Sequence, residues 1–180
     1  NKAANNAAAD AGDKKDGKKL KVGFVTDEGG INDQSFNQGV WEGLQKVHDD
    51  FGFDVSYQES KEANDYAPNI ETLLEAGNDV IVAAGFNLGD AMLEAAEANP
   101  DVQFLIVDYT YENAPDNLAG IQFKAEEPSF LVGYIAGLTT ESNKVGFVGG
   151  QESTVIQVFE YGYRAGVDQA AKEKGQKVDV

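Results

Sequence analysis

No cysteine occurs among the 180 residues, so disulfides, thiolate zinc sites and cysteine nucleophiles are excluded together. The single histidine, His48, falls inside a helical pattern and reads as a structural or surface residue rather than a catalytic one. Basic side chains are scarce, 14 against 31 acidic, and a formal charge of −17 disfavours binding to nucleic acid. No run is long and apolar enough to cross a bilayer. The turn after the first strand is not GxGxxG, and the GK[ST] of a phosphate-binding loop is absent. A receiver domain needs an acceptor Asp where Ala84-Gly85 closes the third strand. Residues 1–19 hold no large apolar side chain and read as a disordered tether, a spacer between an anchor and a folded domain. The chain opens without Met or a signal-peptide pattern, which reads as a mature or engineered start.

What is present is organised around residues 21–44, KVGFVTDEGGINDQSFNQGVWEGL. The stretch begins as a buried strand, Lys21 to Val25, and breaks on Thr26-Asp27-Glu28-Gly29-Gly30. It resumes as a helix with Val40, Trp41, Leu44, Val47 and Phe51 at steps of three and four. In open α/β sheets ligands lie beyond the carboxyl ends of the strands, where this turn falls. The pattern then returns. KVGFV at 21–25 recurs at 144–148, and the same shift of 123 residues (144 − 21) carries Phe36 onto Phe159, Gly39 onto Gly162 and Gly43 onto Gly166. GFDV at 52–55 is echoed two residues late by QKVDV. This predicts an internal duplication, and two similar α/β lobes with a cleft between them.

Taken in order, Phe53–Gln58 reads as a strand, and Asn64 or Asp65 caps a helix through Tyr66, Ile70, Leu73 and Leu74 that ends at Gly77. The apolar run 79–84 suits a central parallel strand, followed by Gly85-Phe86-Asn87 and a helix from Leu88 to Ala98. VQFLIV at 102–107 is a fourth strand ending on Asp108-Tyr109, and 119–123 a fifth. A helix over 129–138 carries the small residues Gly133, Ala136 and Gly137, and the repeated unit adds a strand at 144–148 and a helix over 154–174. Alternating strands and helices predict a doubly wound parallel sheet, with residues 20–125 as a first lobe and 126–180 as the start of a second.

Right-handed connections bring the turns after strands one, three and four to one sheet edge. That edge collects Asp27, Asp33, Ser35, Phe36, Asn37, Gly85, Phe86, Asn87, Asp108 and Tyr109. Carboxylates, amides, a hydroxyl and flat rings without Lys or Arg suit an uncharged, hydroxyl-rich ring compound and fit a phosphorylated one poorly. The competing reading is that Asp and Asn cap helices and Phe36 anchors its helix to the core. A paired-carboxylate site at Asp27 and Asp108, for a metal or for acid–base work, is a weaker alternative with no histidine nearby.

At TDEGGINDQSFNQGVWEGL, FLIVDY, FKAEEPSFLVGYIAGL and KVGFVGGQESTVIQVFEYGYRAGV the chain resembles the basic membrane protein family of ABC-transporter substrate-binding lipoproteins, which includes purine nucleoside receptors. The resemblance covers roughly 20–180. It implies a periplasmic-binding-protein-like fold of the first type that closes on a nucleoside, without catalysis or cofactor. Asp27, Phe36, Asn37 and Asp108 would be first-lobe contacts, with Phe36 stacking on the base. It also implies a permease partner and an extracytoplasmic, lipid-anchored location. Members run to roughly twice this length, so the second lobe would be only begun. Ile156, Phe159, Tyr163 and Val167 would then be left in water and favour a dimer through 144–180. A sugar receptor or an interaction module on the same fold is the alternative.

Overall fold

A computed structural model describes residues 19–180, so the expected tether lies, except for Lys19, outside the described residues. Five short strands form: β1 (Lys21–Val25), β2 (Asp54–Gln58), β3 (Val80–Ala84), β4 (Gln103–Val107) and β5 (Leu118–Ile121). All pair in parallel in the order β2-β1-β3-β4-β5. Between them lie α1 (Phe36–Phe51), α2 (Tyr66–Glu75) and α3 (Gly89–Ala98), and after them α4 (Glu126–Thr139) and α5 (Thr154–Lys174). The predicted doubly wound parallel sheet is observed.

The alternation of each strand decides which helix it meets. Ile81, Ala83, Phe104 and Ile106 face α2 and α3, where Ile70, Leu73, Leu88 and Met92 close a fully buried layer. Val22, Phe24, Val82 and Ala84 face the opposite way, towards Leu44, Val40 and Trp41 of α1. Phe51, expected on that apolar stripe, is instead 68% exposed. It is the last residue of α1, and its ring rests against Phe53 at 6.0 Å rather than on the sheet.

Two expectations for the second repeat are corrected. Residues 144–148 do not form a strand: Lys144 makes one isolated parallel bridge, to Asp179. A ladder needs a neighbour along its whole length, and among the described residues only the segment around Asp179 runs beside it. The face of α5 expected in water is largely covered, with Val167 and Tyr163 buried and Ile156 and Phe159 half-buried. The cover is α4 together with Val145, Phe147 and Val178. Exposed apolar side chains lie on α4 instead, at Leu131, Val132, Ile135 and Leu138, and at Val148.

The duplication survives in the backbone. Gly52 and Gly175, 123 residues apart (175 − 52), both end their helices in the left-handed conformation, φ 71° and 63°. Asp54 N–H donates to Leu20 O at 3.0 Å, and Asp179 N–H donates to Asn143 O at 2.9 Å. The second pairing falls two residues late, as the GFDV/QKVDV echo does.

Candidate functional site

Because β1, β3 and β4 are adjacent and parallel, their carboxyl ends share one edge. Asp27, Gly85 with Phe86, and Asp108 stand there, as topology predicts. The edge is stitched by backbone bonds: Gly85 N–H donates to Val107 O at 2.9 Å and Asp108 N–H to Ile121 O at 2.8 Å.

The loop after β1 is held from β2. Thr26 is fully buried, and its hydroxyl oxygen accepts from Ser60 N–H at 3.2 Å. Glu59 accepts from Ile31 N–H at 3.0 Å. Asp27 Oδ1 accepts from Gly29 N–H at 2.9 Å and from the Asn37 amide at 2.6 Å. Its other oxygen lies towards Gly85, whose φ of 90° is open to glycine and strained for other residues; a Cβ there would stand 3.7 Å from Asp27 Oδ2.

Asp33 is the cap of α1. Its carboxylate accepts from the N–H groups of Ser35 (2.8 Å), Gln38 (3.0 Å) and Asn37 (3.1 Å), and from the Asn37 amide at 3.0 Å. Burial pushes this carboxyl up, but the backbone donors of Gln38, Ser35 and Asn37 outweigh it and hold it below the usual carboxylate range. Ser35 precedes the helix, and its side chain makes no capping bond. Asn37 is 2% exposed, with both amide contacts going to carboxylates and Oδ1 buried without a hydrogen-bond partner.

Phe36 is 48% exposed and, with Ser35, Gly39, Val40, Val107 and Phe123, lines a concavity of about 390 Å³. Asp27 and Asp108 do not line it. Asp108 sits in the left-handed region, φ 63°, and burial raises its carboxyl above the ordinary value. A non-glycine residue held there stores strain, a common feature of functional positions. Phe86 is half-buried at the start of a 3₁₀ turn, and Asn87 is exposed. Tyr109 belongs to the wall: its ring packs on Gly89 and stands edge-on to Tyr111 at 4.9 Å, while the Tyr111 hydroxyl donates to Gly89 O at 2.7 Å.

One residue beside this site was read only as part of an apolar stripe. Tyr66, first in α2, buries its hydroxyl beside Glu28 and Asp27 but outside good hydrogen-bond geometry. Burial first, then Glu28 and Asp27, raises its pKa above that of an ordinary phenol. Helical periodicity cannot separate a tyrosine used for its ring from one used for its oxygen. Among the described residues no group of three or more His, Asp or Glu is arranged to hold a metal ion.

The edge therefore offers carboxylate oxygens, an amide oxygen and an exposed ring, with no cation. Similarity to known proteins gives it a setting. At 44% identity over 94% of the chain, it is similar to a CD4+ T-cell-stimulating antigen of Listeria innocua, and at 38% over 89% to an ABC transporter nucleoside-binding protein, BmpA, of Lactococcus lactis. Among solved structures it is similar to an ABC transporter solute-binding protein of Aeropyrum pernix, at TM-score 0.79 and 25% identity over 89% of the chain and 46% of that chain. The fold is thus that of periplasmic-binding-protein-like solute receptors of the first type. The chain spans about half the length of the curated relatives it matches, 48% and 46% for the two named. The family of PnrA-like ABC transporter substrate-binding proteins, Bmp, matches residues 20–178, and the chain belongs to that family.

Proposed function

We propose that this chain carries the first half of a purine nucleoside receptor, the solute-binding component of an ABC transporter. The base stacks on Phe36, and polar atoms at the ends of β1 and β4 take its edge and the sugar hydroxyls. The carrying observation is Phe36, whose ring is 48% exposed and, with Val40, Val107 and Phe123, lines an apolar concavity at the carboxyl edge of the sheet. A flat, open ring offers a stacking face to a planar base, and the carboxylates of Asp27 and Asp108 on the same edge can accept from base N–H groups and sugar hydroxyls. The name of the Lactococcus lactis relative supports the same class of ligand.

In this reading residues 20–125 form one lobe and 126–180 begin the other. The protein works outside the cytoplasmic membrane on a lipid anchor, and a permease receives its cargo. Calorimetry on the protein at its relatives' full length, against inosine, guanosine, adenosine and simple sugars, tests it. Nucleoside binding that Phe36→Ala weakens at least tenfold is expected. Sugar binding without nucleoside binding would make it a sugar receptor, and binding to neither would favour an interaction module.

A further inference from the structure

Side-chain bonds tie the first turns of α2 to the loop that follows β1. The Asn69 amide donates to Ser60 Oγ at 3.0 Å and to Glu59 O at 3.2 Å. Ser60 N–H in turn donates to Thr26 Oγ1 at 3.2 Å. Tyr66, one turn before Asn69, is thereby brought to the Asp27–Gly30 turn. It is 4% exposed and belongs to the buried layer of Val25, Ile70 and Leu88.

For the fold alone, phenylalanine would serve better there. A buried O–H without an acceptor costs free energy that a C–H in the same place does not. The Tyr66 hydroxyl is such a donor, and the residue it stands beside is Glu28. Glu28 is an exposed member of the turn and makes no other hydrogen bond or ion pair among the described residues. The backbone on either side of it is engaged. Gly30 N–H and the Thr26 hydroxyl both donate to Asp27 O, at 3.3 and 2.8 Å, and Gly29 N–H donates to Asp27 Oδ1 at 2.9 Å. A turn that shapes the Asp27 carboxylate thus has one loose side chain, and beneath it one hydroxyl without an acceptor.

We propose that Tyr66 is a positioning residue of the ligand site, its hydroxyl donating to Glu28 when Asp27 holds its ligand. The proposal rests on the carboxyl edge being the receptor's ligand site. A ligand bonded to Asp27 fixes the turn, and in the fixed turn Glu28 accepts from Tyr66 Oη. The bond exists in the liganded state only, so its free energy adds to affinity and not to the stability of the free chain. Tyr66 itself does not touch the ligand.

Tyr66→Phe separates the two states by sign. In the 180-residue chain it removes a hydroxyl without an acceptor and raises Tm by about 2–4 °C. In the polypeptide at its relatives' full length, calorimetry shows weaker binding of whichever nucleoside or simple sugar the wild type takes, by about five- to tenfold. Glu28→Ala weakens binding to the same degree, and the double variant goes no further than either alone. A packing defect would instead lower Tm and add to the loss from Glu28→Ala. A Tm that does not rise, an affinity equal to wild type, or additive losses each overturn the inference. Sugar binding that both variants weaken supports it while the nucleoside reading fails. Nucleoside binding that neither weakens does the reverse, and a wild type that binds neither class overturns both.

Discussion

The side-chain amide of Asn37 donates to Asp27 at 2.6 Å, tying the first turn of α1 to the loop that follows β1. Asn37 is 2% exposed, and both of its amide bonds end on carboxylates. Asn37→Ala leaves those oxygens short of a buried donor and should cost about 2–3 kcal/mol, read as a lower urea midpoint at unchanged slope. Asn37→Asp should cost more, since it sets a third carboxylate against two. Stability equal to wild type in either variant would show that the amide bonds are not formed.

Asp33 gives a pH signature. Its folded carboxyl titrates below the ordinary value of 3.8, so its stabilisation is fully present above that value and is lost as pH falls through the lower folded value. Asp33→Ala should cost about 1–2 kcal/mol at neutral pH through loss of the α1 cap. The gap between wild type and variant should narrow only below about pH 4, checked by urea unfolding across pH. A gap independent of pH would show that the charge is not what caps the helix.

Asp108 separates strain from function. Alanine is more strained than Asp at φ 63°, since the short polar side chain of Asp tolerates the left-handed region, whereas glycine adopts it freely. Asp108→Gly should therefore be neutral or stabilising by up to about 1 kcal/mol, and Asp108→Ala should not. Burial raises this carboxyl, so its ionisation disfavours the fold: stability is present below the unfolded value and falls as pH rises through the folded one. Asp108→Asn should flatten that slope. Both glycine and asparagine variants should weaken nucleoside binding at full length, measured by calorimetry.

Lys174 reaches from α5 to the end of α4, donating to Gly137 O (3.2 Å), Leu138 O (3.3 Å) and Thr140 O (3.3 Å). A cation on the last carbonyls of a helix satisfies orphan acceptors and the helix dipole together. Lys174→Met, which keeps the stem, should cost about 1 kcal/mol, a fall of about 2–4 °C in Tm. An unchanged Tm would mean that water replaces the ammonium without loss.

Leu131, Val132, Ile135 and Leu138 make one apolar face on α4. Contiguous apolar surface of this kind marks association. The 180-residue chain should self-associate through α4 rather than through the covered face of α5. Light scattering should show a concentration-dependent dimer that Leu131→Glu with Ile135→Glu returns to monomer. A monodisperse wild-type monomer at high concentration would remove the expectation.

The order of strands and helices, the parallel sheet and the edge joining Asp27, Gly85 and Asp108 were all legible in the sequence. They follow from local periodicity, from turn residues and from the handedness of βαβ connections, none of which needs distant contacts. The two uses of Asp33 were not separable, because a helix cap and a ligand contact call for the same residue after the same turn. Tyr66 was hidden as an apolar position. Residues 144–148 repeat β1 letter for letter and yet form no strand, since a strand exists only against a neighbour, and β1 has β2 and β3 where Lys144 has one bridge to Asp179. Likewise Gly39 and Gly162 sit at equivalent points of a duplicated helix, one exposed and one under α4. Local pattern determined which residues make elements and which way they face. What covers each face is a matter of long-range packing, and only the tertiary structure decided it.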